Sequence, residues 1–219
     1  MLSPVIPYTI KGAIWYQGES NVGNYQEYNE LFNGMIEDWR LNWGYNFPFY
    51  YAQIAPFIYS DSDISQGLRD AQRKTLKTTP KTGMAILLDI GEKEDIHPRN
   101  KQDVGDRLAL LALDKDYDFD IVSSGPLYKS HEIFPSHIEV DFEAKGSGLM
   151  SKPDLSGFEI AGSDGIFYPA IASIFNDKVT VSSNQVINPK EVRYGWKNWV
   201  VGSLFNKEGL PASSFSSVE

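Results

Sequence analysis

The 219-residue chain contains no cysteine, which excludes disulfides, thiolate metal sites and a cysteine nucleophile. No basic block offsets its net charge of −9, a balance that disfavours nucleic acid and anionic membrane surfaces as partners. No apolar run approaches bilayer-spanning length. The opening Met1-Leu2-Ser3-Pro4-Val5-Ile6-Pro7 lacks the basic and apolar regions of a secretory leader and runs almost at once into a strand pattern, as expected of a piece cut from a larger protein. A nucleophile elbow is missing too. Gly18-Glu19-Ser20 is followed by Asn21 and Val22, where the Gly-x-Ser-x-Gly turn needs a second glycine.

What is present in the first half is an alternation of apolar runs and amphipathic segments. Residues 9–16 read as a buried strand. Asn24 then opens a helix with Tyr28, Leu31, Phe32, Met35, Ile36, Trp39 and Trp43 at helical spacing, and Gly44 ends it. A second strand is expected over 49–54, a weaker helix over 66–77 with Leu68, Ala71 and Leu76 inward, and a third strand over 84–89. After a charged loop, Asn100 caps a helix with Val104, Leu108, Leu111 and Ala112 on one face. The order β-α-β-α-β-α implies right-handed crossovers and a parallel sheet.

Beyond Tyr117 the pattern becomes short strands separated by Gly, Pro, Ser and Asp: 121–123, 137–142, 157–161, 178–182 and 192–194. The expected architecture is an α/β unit over 1–116 with a partial parallel sheet of flavodoxin-like type. A small antiparallel β region follows over 117–206, then a polar, frayed tail over 207–219.

Open parallel sheets place their sites at the carboxyl ends of the strands. His97, one of three histidines, stands in such a loop. Its side chain titrates near neutral pH, the property a general base needs, and Pro98 holds the residue extended. Asp95 and Glu94 are candidates to orient its ring, although neighbours on an extended loop point to opposite sides. Asp89 and Glu92 complete the loop's acids. At the end of the first strand, Gln17, Gly18 and Glu19 read as an oxyanion-side fragment, a side-chain amide beside a glycine N–H, with Asn21 as a further donor or turn residue. Ser20 is the in-chain alternative nucleophile, but a turn role fits its broken motif better. His131 and His137 lie in the β-rich half without spaced metal partners. Tyr16, Tyr50, Tyr51, Phe57 and Tyr59 sit near strand ends, as core or as a surface for a sugar to stack on.

The blocks Gly12-Ala13-Ile14-Trp15-Tyr16-Gln17-Gly18-Glu19-Ser20-Asn21 and Asp95-Ile96-His97-Pro98-Arg99-Asn100-Lys101-Gln102 resemble those of the sialate O-acetylesterase group of the SGNH hydrolases. Residues 158–162, 192–196 and 206–213 look like that group's carboxy-terminal β region. The resemblance implies a metal-free, cofactor-independent esterase that removes acetyl groups from sugar hydroxyls, including the 9-O-acetyl of sialic acid. His97 matches its base, Asp95 or Glu94 its acid, and Gln17 to Glu19 the oxyanion side. Members of the group are often exported. Its nucleophile belongs to a Gly-Gln-Ser-Asn block upstream of the tryptophan block, and no such segment occurs here. The sheet edge left open is expected to drive self-association or to receive an amino-terminal partner polypeptide.

Overall fold

Helical spacing and apolar runs build most of the first half as the sequence predicts, but the strand expected to lie buried over 9–16 is short, Ala13–Trp15, and none of those residues is buried. The computed structural model describes residues 2–60, 62–152 and 154–218. Its elements begin with β1 (Ala13–Trp15), a 3-10 segment (Glu19–Asn24), α1 (Tyr25–Trp43), β2 (Phe49–Ala52), α2 (Ser65–Thr78), β3 (Thr82–Ala85) and α3 (Lys101–Asp116). The strands pair in parallel in the order β1-β2-β3, with Tyr51 opposite both Trp15 and Met84. Because that order never reverses, right-handed crossovers put both connecting helices on one face. Phe32 and Ile36 of α1 and Leu68 of α2 cover Phe49, Tyr51, Met84 and Ile86 there. Val104, Leu108 and Leu111 of α3 close the other face over Tyr50, Ala85 and Leu87.

Gly44 ends α1 at φ 77°, donating its N–H to the Arg40 and Leu41 carbonyls at 2.9 and 3.2 Å. One expected core position fails: Leu31 is exposed. The buried arc of α1 is rotated toward α2, where Asn29 donates to Thr75 and Asn33 to Thr78 at 3.0 and 2.8 Å, so Leu31 falls outside it. At the start of α3, the Asn100 side chain accepts the Asp103 N–H at 3.1 Å. Asn100→Ala is therefore expected to lower stability by about 1 kcal/mol, read as a smaller urea midpoint at unchanged slope.

The second half runs β4 (Leu127–Ile133), β5 (Ile138–Glu143), β6 (Leu149–Ser151), β7 (Phe158–Ala161), β8 (Phe167–Pro169), β9 (Ile171–Phe175), β10 (Lys178–Ser182), β11 (Glu191–Tyr194), β12 (Leu204–Asn206) and β13 (Phe215–Ser216). Two four-stranded antiparallel sheets, β4-β5-β10-β9 and β13-β11-β7-β8, accompany a β12-β6 pair. The strand expected at 121–123 is irregular, and β4 was not anticipated because it lies at a sheet edge with Lys129, Ser130 and Glu132 interrupting its pattern.

The tail read as polar and frayed is instead packed. Leu210, Ala212 and Phe215 are buried, and Phe215 stacks on Tyr128 with ring centroids 4.4 Å apart. Serines hide this in the sequence, because Ser213 and Ser214 are themselves buried and bonded to Gln53 and Arg69 of the α/β half. A single hydrophobic cluster runs from Phe32 and Tyr51 through to Val192 and Phe215. On the open side of the parallel sheet, β1 is an edge strand, and Ile14, opposite Tyr50 on the α3 face, is 71% exposed. Among the described residues, no helix is long and apolar enough to cross a membrane.

Candidate active site

Four segments meet at the carboxyl ends of the parallel strands; backbone hydrogen bonds fasten three of them to one another, and a cation–π contact reaches the fourth, at the end of β1. Ile58 N–H, beyond β2, donates to Lys93 O at 3.1 Å in the histidine loop. Phe57 N–H donates to Asn198 O at 3.3 Å, and Gly202 N–H to Leu88 O at 3.0 Å, tying the 195–202 loop of the β-rich half to the ends of β2 and β3. Lys101, at the head of α3, places its ammonium 5.0 Å from the Tyr16 ring centroid at the end of β1.

The His97 side chain is 86% exposed, with Nδ1 4.0 Å from Asp95 Oδ1, beyond hydrogen-bond length. The same carboxylate oxygen accepts the His97 backbone N–H at 2.9 Å, so Asp95 fixes the residue's main chain and stands beside the ring. Glu94 is exposed and makes no hydrogen bond or ion pair among the described residues. The loop's other two acids have structural work. Asp89 takes a two-pronged ion pair from Arg107 at 2.7 Å on each arm, and Arg107 also donates to Ile86 O. Glu92 accepts the Arg99 N–H at 2.7 Å and closes the loop around His97.

At the end of β1, Trp15 turns into the core, edge-on to Trp39 at 5.7 Å. Gln17 is held from both sides. Its Nε2 donates to Asn21 Oδ1 at 2.6 Å, and its Oε1 accepts from Tyr28 OH at 3.3 Å. That leaves the Asn21 amide nitrogen, rather than the Gln17 one, without a protein acceptor among the described residues. Gly18 adopts φ +153°, and a Cβ there would stand 2.9 Å from Ile54 Cγ2 and 3.1 Å from Leu68 Cδ2. Gly18→Ala is expected to cost roughly 1–3 kcal/mol through this overpacking, visible in a thermal melt, and to displace the turn that carries Asn21. Glu19 opens the 3-10 segment. Burial, with a contribution from the Glu19 charge, pushes the Tyr16 hydroxyl up to about 12, which keeps it a donor at neutral pH. Ser20 is exposed on the 3-10 segment and no histidine is bonded to it.

The other two histidines fall away from this end. His131 bonds Tyr128 OH through Nδ1 at 2.7 Å, and His137 stacks on Phe134 at 4.6 Å, both in the β4–β5 hairpin. Tyr50 and Tyr51 are core residues, whereas Phe57 and Tyr59 pair edge-to-face at 5.0 Å in the segment after β2. Among the described residues, no group of three or more His, Cys, Asp and Glu is placed to hold a metal ion.

Two residues that organise the site have no motif. Asn198 accepts the Ser65 N–H and hydroxyl at 2.9 and 2.8 Å, capping α2 from the β-rich half, and donates to Asp63 O at 2.9 Å. The sequence signal was the bare Ile64 at the cap position of that helix. Arg69, fully buried, reaches Ser214 Oγ, Ser65 Oγ and the Gly195 and Lys197 carbonyls.

Comparison with known proteins agrees with this architecture. Residues 3–113 match the family model described as carbohydrate esterase, sialic acid-specific acetylesterase. Sialate O-acetylesterases of Mus musculus and Homo sapiens are each 28% identical over 91% of the chain, covering 42% and 43% of their own lengths. A crystal structure of a carbohydrate acetylesterase from Xanthomonas citri superposes with TM-score 0.92 at 39% identity, covering 99% of this chain and 52% of that one. The chain thus spans less than half the length of these curated relatives, and its α/β fold is of the SGNH type. With its tryptophan and histidine blocks set at one end of a parallel sheet, the chain belongs to the sialic acid-specific acetylesterase family of carbohydrate esterases.

Proposed function

We propose that the chain forms the base and oxyanion side of a carbohydrate O-acetylesterase, acting on acetylated sialic acid at its 9-hydroxyl. The observation that carries this reading is an outward-facing imidazole beside Asp95, in a loop fastened to the segment after β2 and reaching the end of β1, where the Gln17–Asn21 turn begins, through the Lys101–Tyr16 contact. A serine outside these residues attacks the acetyl carbonyl while His97 takes its proton. A modest rotation of the ring brings Nδ1 within reach of Asp95, which steadies the imidazolium. The Gly18 N–H and the Asn21 amide, oriented by Gln17, meet the developing oxyanion. His97 returns the proton to the departing sugar hydroxyl, then activates a water that attacks the acetyl-serine and releases acetate. Asp95, rather than Glu94, is the orienting acid.

The edge of β1 receives the polypeptide that brings the serine, either an amino-terminal segment or a partner chain. Alone, the chain self-associates there through Ile14. Sedimentation of the wild-type chain is expected to show a dimer or larger species that Ile14→Asp reduces to monomer; a wild-type monomer contradicts this.

The test of function is acetate release from 9-O-acetylated sialic acid, with acetylated xylan as the competing substrate. The chain alone is expected to be inactive, and addition of the serine-bearing segment to restore hydrolysis. Activity of the chain alone that is lost in both Ser20→Ala and His97→Ala would instead make Ser20 the nucleophile. Faster cleavage of acetylated xylan would move the substrate to plant polysaccharide. The exposed, unpaired His97 ring favours one second reading, a noncatalytic carbohydrate-binding or regulatory unit, and persistent inactivity with the serine supplied would select it.

A further inference from the structure

Two cavities of ≈ 530 and ≈ 540 Å³ share one half-buried indole, Trp196, in their walls. Both fall within the roughly 300–1,000 Å³ usual for small-ligand sites. Trp196 follows Gly195, whose φ of +60° starts the loop that Asn198 and Gly202 fasten over the ends of β2 and β3. The first cavity opens between the early turns of α1 and α2 and strands β8 and β11, with Tyr25, Asn29, Asp70, Phe167 and Arg193 in its walls. The second continues past Trp199, Pro169 and Ile171.

The walls of the first cavity are locked before any ligand arrives. Gly67 sits inside α2, where glycine is unfavourable, and a Cβ there would stand 2.5 Å from Tyr25 Cδ2. Its absence lets the Tyr25 ring lie against the helix. The Arg193 guanidinium lies 3.9 Å from the Phe167 ring centroid and bonds Glu159 at 2.8 Å. Asp70 is held by Arg73 and Lys74 at 2.6 and 3.0 Å. Half-buried aromatic side chains, Trp196 foremost, beside fixed, planar hydrogen-bonding groups match a pyranose ring, which offers a C–H face for stacking and a rim of hydroxyls. One indole shared by two adjoining cavities matches a chain of such rings.

We propose that Trp196 is the centre of an oligosaccharide-binding track, with the Tyr25–Phe167 cavity and the Trp199 cavity each holding sugar units of one glycan. The choice of ligand class rests on the sugar-ester reading above; the geometry of the track does not.

The experiment is isothermal titration of the intact chain with 3′-sialyllactose as the acidic probe and xylohexaose as the neutral one. Saturable binding of either probe is expected, weakened about tenfold or more by Trp196→Ala through loss of the buried stacking surface. Phe167→Ala, on the exposed edge strand β8, carries the same expectation should Trp196→Ala melt early. Absence of binding of both probes at millimolar concentration, or unchanged affinity in a folded variant, overturns the proposal. Because the readout is binding, a track without hydrolysis sinks the esterase reading alone, and hydrolysis without a track sinks this one alone.

Discussion

His97→Ala is expected to lower acetyl-ester hydrolysis by about 10²- to 10⁴-fold, the usual worth of a positioned general base, once the serine-bearing segment is supplied. The loss should fall on kcat, since proton transfer by an imidazole this exposed acts in the transition state and gives the ground-state substrate little binding to lose. His131→Ala, in the β4–β5 hairpin, should match the parent in the same assay. Asp95→Asn is expected to fall between them. The backbone bond from His97 N–H to residue 95 survives with the amide oxygen, whereas the charge that steadies the imidazolium does not. A His97→Ala enzyme with full kcat would remove the residue from the chemistry.

Arg69→Met is expected to destabilise the fold by on the order of 3 kcal/mol, the largest effect on stability expected of these variants. Arg69 is completely buried and, among the described residues, pairs with no carboxylate: two hydroxyls and two backbone carbonyls take its hydrogen bonds. Burial pushes its guanidinium down to about 10, which still leaves it charged at neutral pH. Methionine would fill the volume but strand the Gly195 and Lys197 carbonyls without donors. Arg69→Lys should recover only part of the loss, because a single ammonium cannot span acceptors that a planar fork reaches. Urea unfolding followed by tryptophan emission checks both variants, and an unchanged midpoint for Arg69→Met would show that the 195–197 loop holds without it. That loop carries Trp196 and leads into Asn198, so the same variant should also weaken oligosaccharide binding.

The parallel half of the fold was legible because its signals are local. Gly44, Asn100 and the spacing of Tyr28, Phe32 and Ile36 each act within a few residues of themselves. Leu31 misled because helical periodicity gives the width of a buried stripe but not how far a neighbouring helix turns it. The tail misled for a related reason: Ser213 and Ser214 look solvent-seeking alone and become buried only through partners, Gln53 and Arg69, more than a hundred residues away. The histidine and glutamine blocks could be placed at one end of the sheet because each directly follows a strand in the chain. Sorting the loop acids could not be done from sequence, because the Asp89–Arg107 ion pair and the Glu92–Arg99 closure depend on three-dimensional reach. Asn198 was invisible for the same reason, coming to the strand ends from the far half of the chain, and Trp196 could be read only as part of the 192–196 block, without its place in the fold.

The central claim is that the His97 imidazole and the Gln17–Asn21 turn share one pocket. The lack of cysteine allows a single spin label to be placed by Ser20→Cys, on the exposed 3-10 segment of that turn. With three histidines, the imidazole proton signals can be told apart by substitution. The account predicts strong paramagnetic broadening of His97 while His137, in the β4–β5 hairpin, stays sharp. A sharp His97 signal beside the label would separate the two halves of the site and contradict it.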